Sequence, residues 1–359
     1  MGLQKKYIQG FAGILVLSFV VIALIFIVSL VIFTKKNNPA YQPIFNKMSE
    51  IVATPTPTPF PFQEMTIPYL RKTEFESSLG ELNKVSENSN YTSYVGSYIS
   101  DGFKVYGLLT RPNQDMPEGG FPAIILVHGY IPPQNYRTLV NYSSYVDYLA
   151  KNGFVVFKID LRGHGESEGE AGGGYYSGDY VIDTLNAYSA LQKSDFVNPK
   201  FIGLWGHSMA GNIVMRTFAA RPQILAVVIW AGAGYTYTDL QEYRISDNSY
   251  QPPSEDSERA RKRQLLIETY GNFDPKHWFW KQVPATNYLS DLSGAVQLNH
   301  AIDDSVVSIN YSKNLNSLMD QTVLIHELNE YPTGGHNISG NAFTESMQNT
   351  VRFFEENLR

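Results

Sequence analysis

The chain of 359 residues contains no cysteine. This absence excludes disulfide bonds, thiolate zinc sites and cysteine-ligated iron–sulfur clusters. It also excludes a cysteine nucleophile and a lipid-modified cysteine anchor. A cysteine-free chain is compatible with either redox environment, so the compartment has to be inferred from other features.

Basic residues are scarce outside the N-terminus. Residues 1–36 carry four lysines and no acidic residue, which leaves 24 basic and 34 acidic residues in the rest of the chain, a net charge of −10. Such a body offers no basic surface to a phosphate backbone, so we expect no nucleic-acid partner. Hydrophobic residues make up 43% of the chain, enough for a packed core, which excludes wholesale disorder.

Residues 11–33 form an apolar run without a single charge. As a helix the run would be roughly 34 Å long, enough to cross a hydrocarbon core of about 30 Å. We therefore predict a transmembrane anchor after a short tail, residues 1–10. A cleaved signal peptide is the alternative, but its apolar core typically has only about 7–15 residues, and no small-x-small cleavage pattern follows the run.

A proline-rich segment follows the predicted anchor. Threonine and proline alternate over residues 54–59, and proline then alternates with phenylalanine up to residue 62. Such a tract favours a semi-rigid polyproline II spacer and is typical of extracellular stalks. Because lysine pairs flank the anchor on both sides, charge leaves its orientation open. From the tract we predict a stalk and linker over residues 34–90 and a domain, residues 91–359, outside the cytoplasmic membrane.

The remaining chain alternates between short apolar runs and helical patterns. Residues 91–99 and 104–109, on either side of Asp101 and Gly102, predict a β-hairpin. Strand–helix alternation after this hairpin predicts an open α/β sheet with its site at the carboxyl ends of the strands. The predicted strands, continuous enough for a parallel sheet, are residues 123–127, 154–159, 201–205, 225–230, 295–298 and 322–328. A polar, aromatic-rich stretch at about 234–287 breaks the rhythm and predicts a helical cap insertion.

A strand, a Gly-x-Ser-x-Ala-Gly turn and a helix succeed one another around Ser208, as a nucleophile elbow requires. A serine needs a base, and we expect His336, in a glycine-rich loop after the last strand, to supply it. The base needs a carboxylate, and two adjacent candidates follow residues 295–298. We expect Asp303 to hold the histidine and Asp304 to cap the turn, with Asp160 a weaker alternative.

An oxyanion hole needs two preorganised donors. We expect them to be the backbone N–H groups of Met209 and of Tyr130, in the loop after residues 123–127. In the cap, Tyr235, Trp278 and Trp280 are candidate substrate-binding residues of an apolar acyl pocket, or they pack the cap onto the body. The charged run 258–263 is expected to be a solvated helix face.

Together these loops resemble the α/β-hydrolase superfamily. The resemblance rests on a His-Gly loop, an Asp-x-Arg-Gly-His-Gly-x-Ser motif, the elbow, the Asp303 loop and a Tyr-Pro-x-x-x-His loop, at residues 128–129, 160–167, 206–211, 303–306 and 331–336. Within the superfamily the chain most resembles stand-alone catalytic domains of the prolyl oligopeptidase-like group, peptidase family S9, and related dienelactone-hydrolase-like esterases. His300 stands where members often have glycine.

The resemblance implies a mostly parallel sheet flanked by helices, with Ser208 as nucleophile, Asp303 as acid and His336 as base. Together with the predicted anchor, it implies a membrane-anchored serine hydrolase that cleaves an ester or peptide bond through an acyl-enzyme, without a metal or cofactor. The expected substrate is a small acyl ester or a short peptide. A lipase or carboxylesterase acting on membrane-derived or small acyl esters is the alternative reading. A non-catalytic surface binding module is a third.

Overall fold

The computed structural model describes residues 59–358. This part of the chain contains a mixed β-sheet of nine strands. The strands are β1 (Asn83–Glu87), β2 (Tyr91–Ser100), β3 (Phe103–Pro112), β4 (Phe121–Val127), β5 (Val155–Ile159), β6 (Val197–His207), β7 (Ala226–Trp230), β8 (Ala295–Ala301) and β9 (Ile325–Tyr331). Their order in the sheet is β1-β2-β3-β5-β4-β6-β7-β8-β9. β1, β2, β3 and β5 pair antiparallel in succession, and from β5 to β9 every pairing is parallel.

The predicted hairpin is formed by β2 and β3, whose ends pair Ser100 with Phe103. Asp101 and Gly102 have φ values of 54° and 84°, so both are left-handed. A two-residue hairpin turn of the I′ type requires this conformation, which aspartate tolerates and glycine adopts freely.

Helices cover both faces of the sheet. They are α1 (Ile67–Lys72), α2 (Ser143–Lys151), α3 (Asp179–Gln192), α4 (Ala210–Ala220), α5 (Tyr237–Glu242), α6 (Glu258–Tyr270), α7 (Asn310–Met319) and α8 (Asn341–Asn357). Side chains alternate between the faces along each strand. In β4, Ile125 and Val127 join the core under α3 and α4, whereas Ile124 and Leu126 join the core under α2 and α8.

The folded unit begins earlier than the sequence predicts. It starts at Pro59, so the predicted linker over residues 34–90 is wrong for its last 32 residues, 59–90. Ile67 and Leu70 of α1 are fully buried, and β1 adds an edge strand to the sheet. The reason is that so short a segment buries only a few isolated side chains and leaves no readable periodicity.

The predicted tail, anchor and first part of the stalk, residues 1–58, lie outside the described residues. Within residues 59–358, no helix combines the length and the apolarity needed to cross a membrane.

A helical insertion lies between β7 and β8, where the sequence predicts the cap. It contains α5, α6 and two 3₁₀ helices, Trp280–Gln282 and Ala285–Asp291. Its small core joins Tyr237, Leu266, Phe279, Trp280 and Val283, and Met65 of the N-terminal segment completes it. The cap is thus packed partly against chain that precedes the sheet.

Candidate active site

Ser208 lies on a sharp turn between β6 and α4. Its φ is 57°, a left-handed conformation that a serine rarely adopts. Backbone hydrogen bonds hold the turn, because Ser208 N–H donates to the Trp230 carbonyl at 3.0 Å. A Cβ on Gly206 would lie 2.9 Å from the Ala210 carbonyl oxygen, so the tight passage of strand past helix requires glycine there. The geometry is that of a nucleophile elbow.

His336 reaches Ser208 from the loop after β9. Its Nε2 lies 2.9 Å from the Ser208 Oγ, a hydrogen-bonding distance. The structure therefore brings together the two residues that the sequence selects as nucleophile and base, although 128 positions separate them.

The carboxylate that contacts His336 belongs to Asp304, not to Asp303 as the sequence analysis expects. Asp304 Oδ2 lies 2.8 Å from His336 Nδ1. The other oxygen, Oδ1, accepts the N–H groups of Val306 and Val307 at 2.8 and 2.9 Å. One carboxylate thus caps the turn and also holds the histidine.

Asp303 lies on the exposed side of the same turn. Its carboxylate accepts the N–H groups of Gly335 and Gly334, at 2.8 and 3.3 Å, and so ties the turn to the loop that carries His336. The expectation gives capping and holding the histidine to two different residues, but the two oxygens of one carboxylate can serve both roles. In a tight turn, adjacent side chains point in different directions, and the motif alone does not say which one points inward.

A second histidine contacts the same carboxylate. His300, fully buried on β8, places its Nε2 3.2 Å from Asp304 Oδ2 and 3.0 Å from the Val307 carbonyl. Burial by itself raises the pKa of Asp304, but hydrogen bonds from His300 and His336 outweigh it and hold the pKa well below its usual range. Asp304 is therefore ionised at neutral pH, as stabilisation of a histidinium requires.

Met209 and Tyr130, the residues predicted to supply the oxyanion hole, lie beside the nucleophile. Met209 follows Ser208, and Tyr130 lies in the loop after β4, which ends beside the elbow because Val127 pairs with Gly206. Both residues line the same cavity as Ser208, and within residues 59–358 neither N–H donates a hydrogen bond. A Cβ on Gly129 would lie 3.0 Å from the Ser208 Cβ, so glycine lets this loop approach the nucleophile. The arrangement is consistent with the predicted oxyanion hole.

Hydrogen bonds that the sequence analysis missed connect the Tyr130 loop to the His336 loop. The Gly129 N–H donates to the Tyr142 hydroxyl at 2.9 Å, and that hydroxyl lies 2.6 Å from His207 Nδ1. His207 Nε2 lies 2.9 Å from the His336 carbonyl oxygen, to which it can only donate. Burial, and next the neighbouring His336, lower the pKa of His207 to about 3. His207 is therefore neutral, with its proton on Nε2.

A cavity of about 840 Å³ opens beside Ser208 and extends beneath the cap. Tyr235, Trp278 and Trp280, the predicted substrate-binding residues, do not line it. Tyr235 and Trp280 are buried in the packing of body and cap, and Trp278 is half exposed and packs against Phe60. The cap aromatics therefore serve packing, the other reading that the sequence left open.

Different residues of the insertion line the cavity. They are Leu240, Ile245, Asp247, residues 250–254, Ser257, Glu258, Arg259, Lys262 and Arg263. Four of the six residues in the charged run 258–263 thus face the cavity, and Glu258, Lys262 and Arg263 are at the same time solvent-exposed, as expected of a solvated helix face. Among residues 59–358, no cluster of three or more histidine and carboxylate side chains is arranged to hold a metal ion.

Parts of the chain are similar to a known family and to curated proteins. Residues 122–247 match the family described as serine aminopeptidase, S33. An uncharacterised 31.7 kDa protein of Escherichia coli is 33% identical over 110 residues, 30% of this chain and 36% of that protein. The uncharacterised peptidase YtmA of Bacillus subtilis is 25% identical over 66% of this chain and 82% of its own length. The chain thus spans little more than a third of the first curated relatives it matches.

Solved structures share the fold at low sequence identity. Acetyl xylan esterase 1 from Thermoanaerobacterium superposes with a TM-score of 0.56 and 19% identity, over 82% of this chain and 95% of the esterase. Dipeptidyl peptidase 4 of Porphyromonas gingivalis gives 0.56 and 17% identity, over 75% of this chain and 36% of the peptidase.

The chain has the α/β-hydrolase fold, as these solved structures do. Its Ser208–His336–Asp304 arrangement and the match of residues 122–247 are similar to those of serine hydrolases.

Proposed function

We propose that this protein is a membrane-anchored serine hydrolase that cleaves an ester or amide bond through an acyl-enzyme, with Ser208, His336 and Asp304 as its catalytic triad. The observation that carries the proposal is the unbroken line of contacts from Ser208 Oγ to His336 Nε2, at 2.9 Å, and from His336 Nδ1 to Asp304 Oδ2, at 2.8 Å. Such a line is what activation of a serine hydroxyl requires.

In the first half of the reaction, Ser208 Oγ attacks the carbonyl carbon while its proton passes to His336 Nε2. Asp304 accepts the Nδ1–H of His336 and stabilises the positive charge on the ring. The N–H groups of Tyr130 and Met209 bind the oxyanion, and stabilisation of this kind is usually the largest single contribution to catalysis. His336 then protonates the leaving group, which departs and leaves Ser208 acylated.

In the second half, His336 removes a proton from water, and the resulting hydroxide equivalent attacks the acyl carbon. The same amides hold the second oxyanion. His336 returns the proton to Ser208 Oγ as the acid product leaves, so the enzyme is regenerated without any further reactant.

Two substrate classes are compatible with this centre. An esterase is supported by the acetyl xylan esterase structure, of which this chain covers almost the whole length. A peptidase of the prolyl oligopeptidase-like type is supported by dipeptidyl peptidase 8 of Homo sapiens, 29% identical over 143 residues, and by YtmA. The intact triad argues against a non-catalytic binding module.

The location of the enzyme is inferred from its N-terminal sequence. The uncharged run 11–33 and the threonine–proline tract support a single-pass anchor and a stalk that hold the catalytic unit outside the cytoplasmic membrane. Protease accessibility of the unit in intact cells tests this orientation, and protection from added protease would contradict it.

A fluorophosphonate probe tests the nucleophile. The full-length enzyme should be labelled and Ser208→Ala should not. Ser254→Ala is a matched control because Ser254 lines the same cavity, and it should keep full labelling. Equal labelling of the wild type and Ser208→Ala, or no labelling of either, would contradict the assignment.

Turnover then separates the two substrate classes. The wild type is compared on 4-nitrophenyl esters of short acids and on aminoacyl and peptidyl 4-nitroanilides. Hydrolysis of esters alone identifies an esterase, and a higher kcat/KM on the anilides identifies a peptidase. Ser208→Ala is the control on both, because it retains the cavity and loses the nucleophile.

A further inference from the structure

Helix α6 of the cap presents three cations to the cavity beside Ser208. They are Arg259, Lys262 and Arg263, whose spacing along the helix places them on one face. Lys262 pairs with Glu258 at 2.8 Å, and the Arg263 guanidinium lies over the Tyr176 ring at 4.5 Å. Arg162 on the facing wall pairs with Asp183 at 2.8 Å.

Arg259 differs from these neighbours. It is half-buried, and within residues 59–358 its guanidinium has neither a carboxylate nor an aromatic face as partner. A half-buried arginine with unused donors is costly unless a bound group or water receives them. Its planar donor fork suits a carboxylate, which it binds in a bidentate manner.

The position of Arg259 relative to the nucleophile follows from two glycines of the cavity wall. A Cβ on Gly173 would lie 2.6 Å from Arg259 Nη2, and one on Gly174 would lie 2.6 Å from Met209 Cγ. Since consecutive Cα atoms are about 3.8 Å apart, the guanidinium lies at most about 12 Å from the side chain of Met209, the residue after the nucleophile. One substrate molecule can therefore span the two points.

The carboxylates of the cavity do not neutralise Arg259. Glu258 is taken by Lys262, Asp179 lies 3.5 Å from Arg162, and Asp247 accepts the N–H and hydroxyl of Ser249. Glu64 lines the wall formed by the N-terminal segment, and burial raises the pKa of its carboxyl. Glu170 is exposed to solvent.

We propose that Arg259 is a specificity-determining residue that binds a carboxylate of the substrate on the side remote from the scissile bond. The inference rests on the proposed hydrolase function and narrows its substrate class to esters or amides that carry a negative charge. It assigns to the cap a recognition role that its aromatic residues do not fill.

Two matched substrate series test this role on the full-length enzyme. One compares 4-nitrophenyl esters of straight-chain acids of four to ten carbons with esters of equal length that end in a free carboxylate. The other compares 2-nitrophenyl acetate with 4-acetoxy-3-nitrobenzoate, which carries a carboxylate on its leaving group. Each is measured with the wild type, Arg259→Gln, Arg259→Lys and Arg261→Gln. Arg261 lies on the same helix outside the cavity lining and donates to the Asp256 carbonyl, so it controls for loss of charge from α6.

The wild type should prefer the charged member of at least one series, and Arg259→Gln should lower kcat/KM for that member about ten- to a hundredfold. Neutral esters should be unaffected, Arg259→Lys should retain part of the preference, and Arg261→Gln should behave as the wild type. No preference in either series, or an equal loss on charged and neutral esters in Arg259→Gln, would overturn the role of Arg259. A wild type inactive on all esters and anilides would instead overturn the proposed function.

Discussion

The loops at the carboxyl ends of the strands and the cap above them differ in how directly the sequence predicts them. In the loops, Ser208 and His336 meet at hydrogen-bonding distance as the motifs predict. In the cap, Tyr235, Trp278 and Trp280 all lie away from the cavity that they were expected to line. A parallel sheet brings distant motifs together at the carboxyl ends of its strands. A helical insertion has no comparable framework that fixes which of its residues face the site.

Packing explains why the cap is harder to predict. Trp280 is buried with Tyr237 and Phe279 against Met65, and Trp278 packs on Phe60. Both partners come from the segment that the sequence assigned to a linker. Contacts with residues about 200 positions away therefore determine which face of the cap packs against the rest of the protein. No local sequence pattern indicates these contacts.

The largest expected effect distinguishes the two aspartates of the β8 loop. Asp304→Asn should lower kcat by about 10⁴, because an amide cannot hold His336 in the required tautomer or stabilise its charged form. The measurement is steady-state turnover of a 4-nitrophenyl ester near neutral pH.

Asp303→Asn is the matched control for that comparison. It keeps one oxygen to accept from Gly335 or Gly334, so it should lower kcat less than about tenfold. A severe loss in Asp303→Asn with near-normal turnover in Asp304→Asn would restore the assignment made from the sequence.

The catalytic triad could thus be predicted to within one residue. The strand–turn–helix pattern identifies Ser208, and the glycine-rich loop after the last strand identifies His336. What the sequence could not supply is the side-chain direction within a turn, or the partners that reach it from elsewhere. The contacts of Asp304 with His300, Val306 and Val307 orient its carboxylate toward His336. These contacts exist only in the folded turn.

The second largest effect tests the packing role of the cap aromatics. Trp280→Ala should lower the free energy of unfolding by about 3–5 kcal/mol, because it empties a fully buried site in the core of the cap. Trp278→Ala, at a side chain that is 50% exposed, should cost much less, about 1 kcal/mol. Urea denaturation monitored by circular dichroism measures both losses. Equal losses in the free energy of unfolding would show that Trp280 is not in the core of the cap.

The fold itself follows the sequence except at its beginning. The hairpin around Asp101 and the six predicted strands are present, since alternation and continuous apolar runs report burial directly. The structure adds β1 and α1, which the sequence analysis missed. Residues 83–87 are all exposed, so β1 shows no alternation of apolar and polar residues that would predict a strand. Backbone pairing with β2 holds it in the sheet.

A third effect concerns His207, which the elbow holds buried and neutral. Its pKa is about 3 in the folded protein against an ordinary value of 6.5, so between these limits the unfolded chain carries a proton that the folded one lacks. Stability must then fall as the pH decreases from 6.5, by about 1.4 kcal/mol per pH unit for this group. Between pH 7 and pH 5 the loss is about 2 kcal/mol.

His207→Gln isolates that contribution, because glutamine does not titrate and its amide can still donate to the His336 carbonyl. His128 and His164 are also buried with lowered pKa values, so the wild type should lose more than this one share. Urea unfolding at the two pH values should show a smaller drop in the variant by about 2 kcal/mol. An unchanged drop would mean that His207 is not neutral in the folded enzyme.

The smallest effect probes the hydrogen bonds that join the loop of Tyr130 to the loop of His336. Tyr142→Phe removes the hydroxyl that accepts from Gly129 N–H and donates to His207 Nδ1. The Tyr130 loop then loses one tether, and His207, which contacts the His336 carbonyl, loses one partner, while the triad residues remain. Loss of about 1 kcal/mol of transition-state stabilisation corresponds to a decrease in kcat of about fivefold, with KM nearly unchanged because no substrate contact is removed. Tyr148→Phe, a hydroxyl deletion in α2 outside this network, should leave kcat unaltered. If Tyr142→Phe instead raised KM at constant kcat, the hydroxyl would contribute to substrate binding and not to the positioning of the two loops.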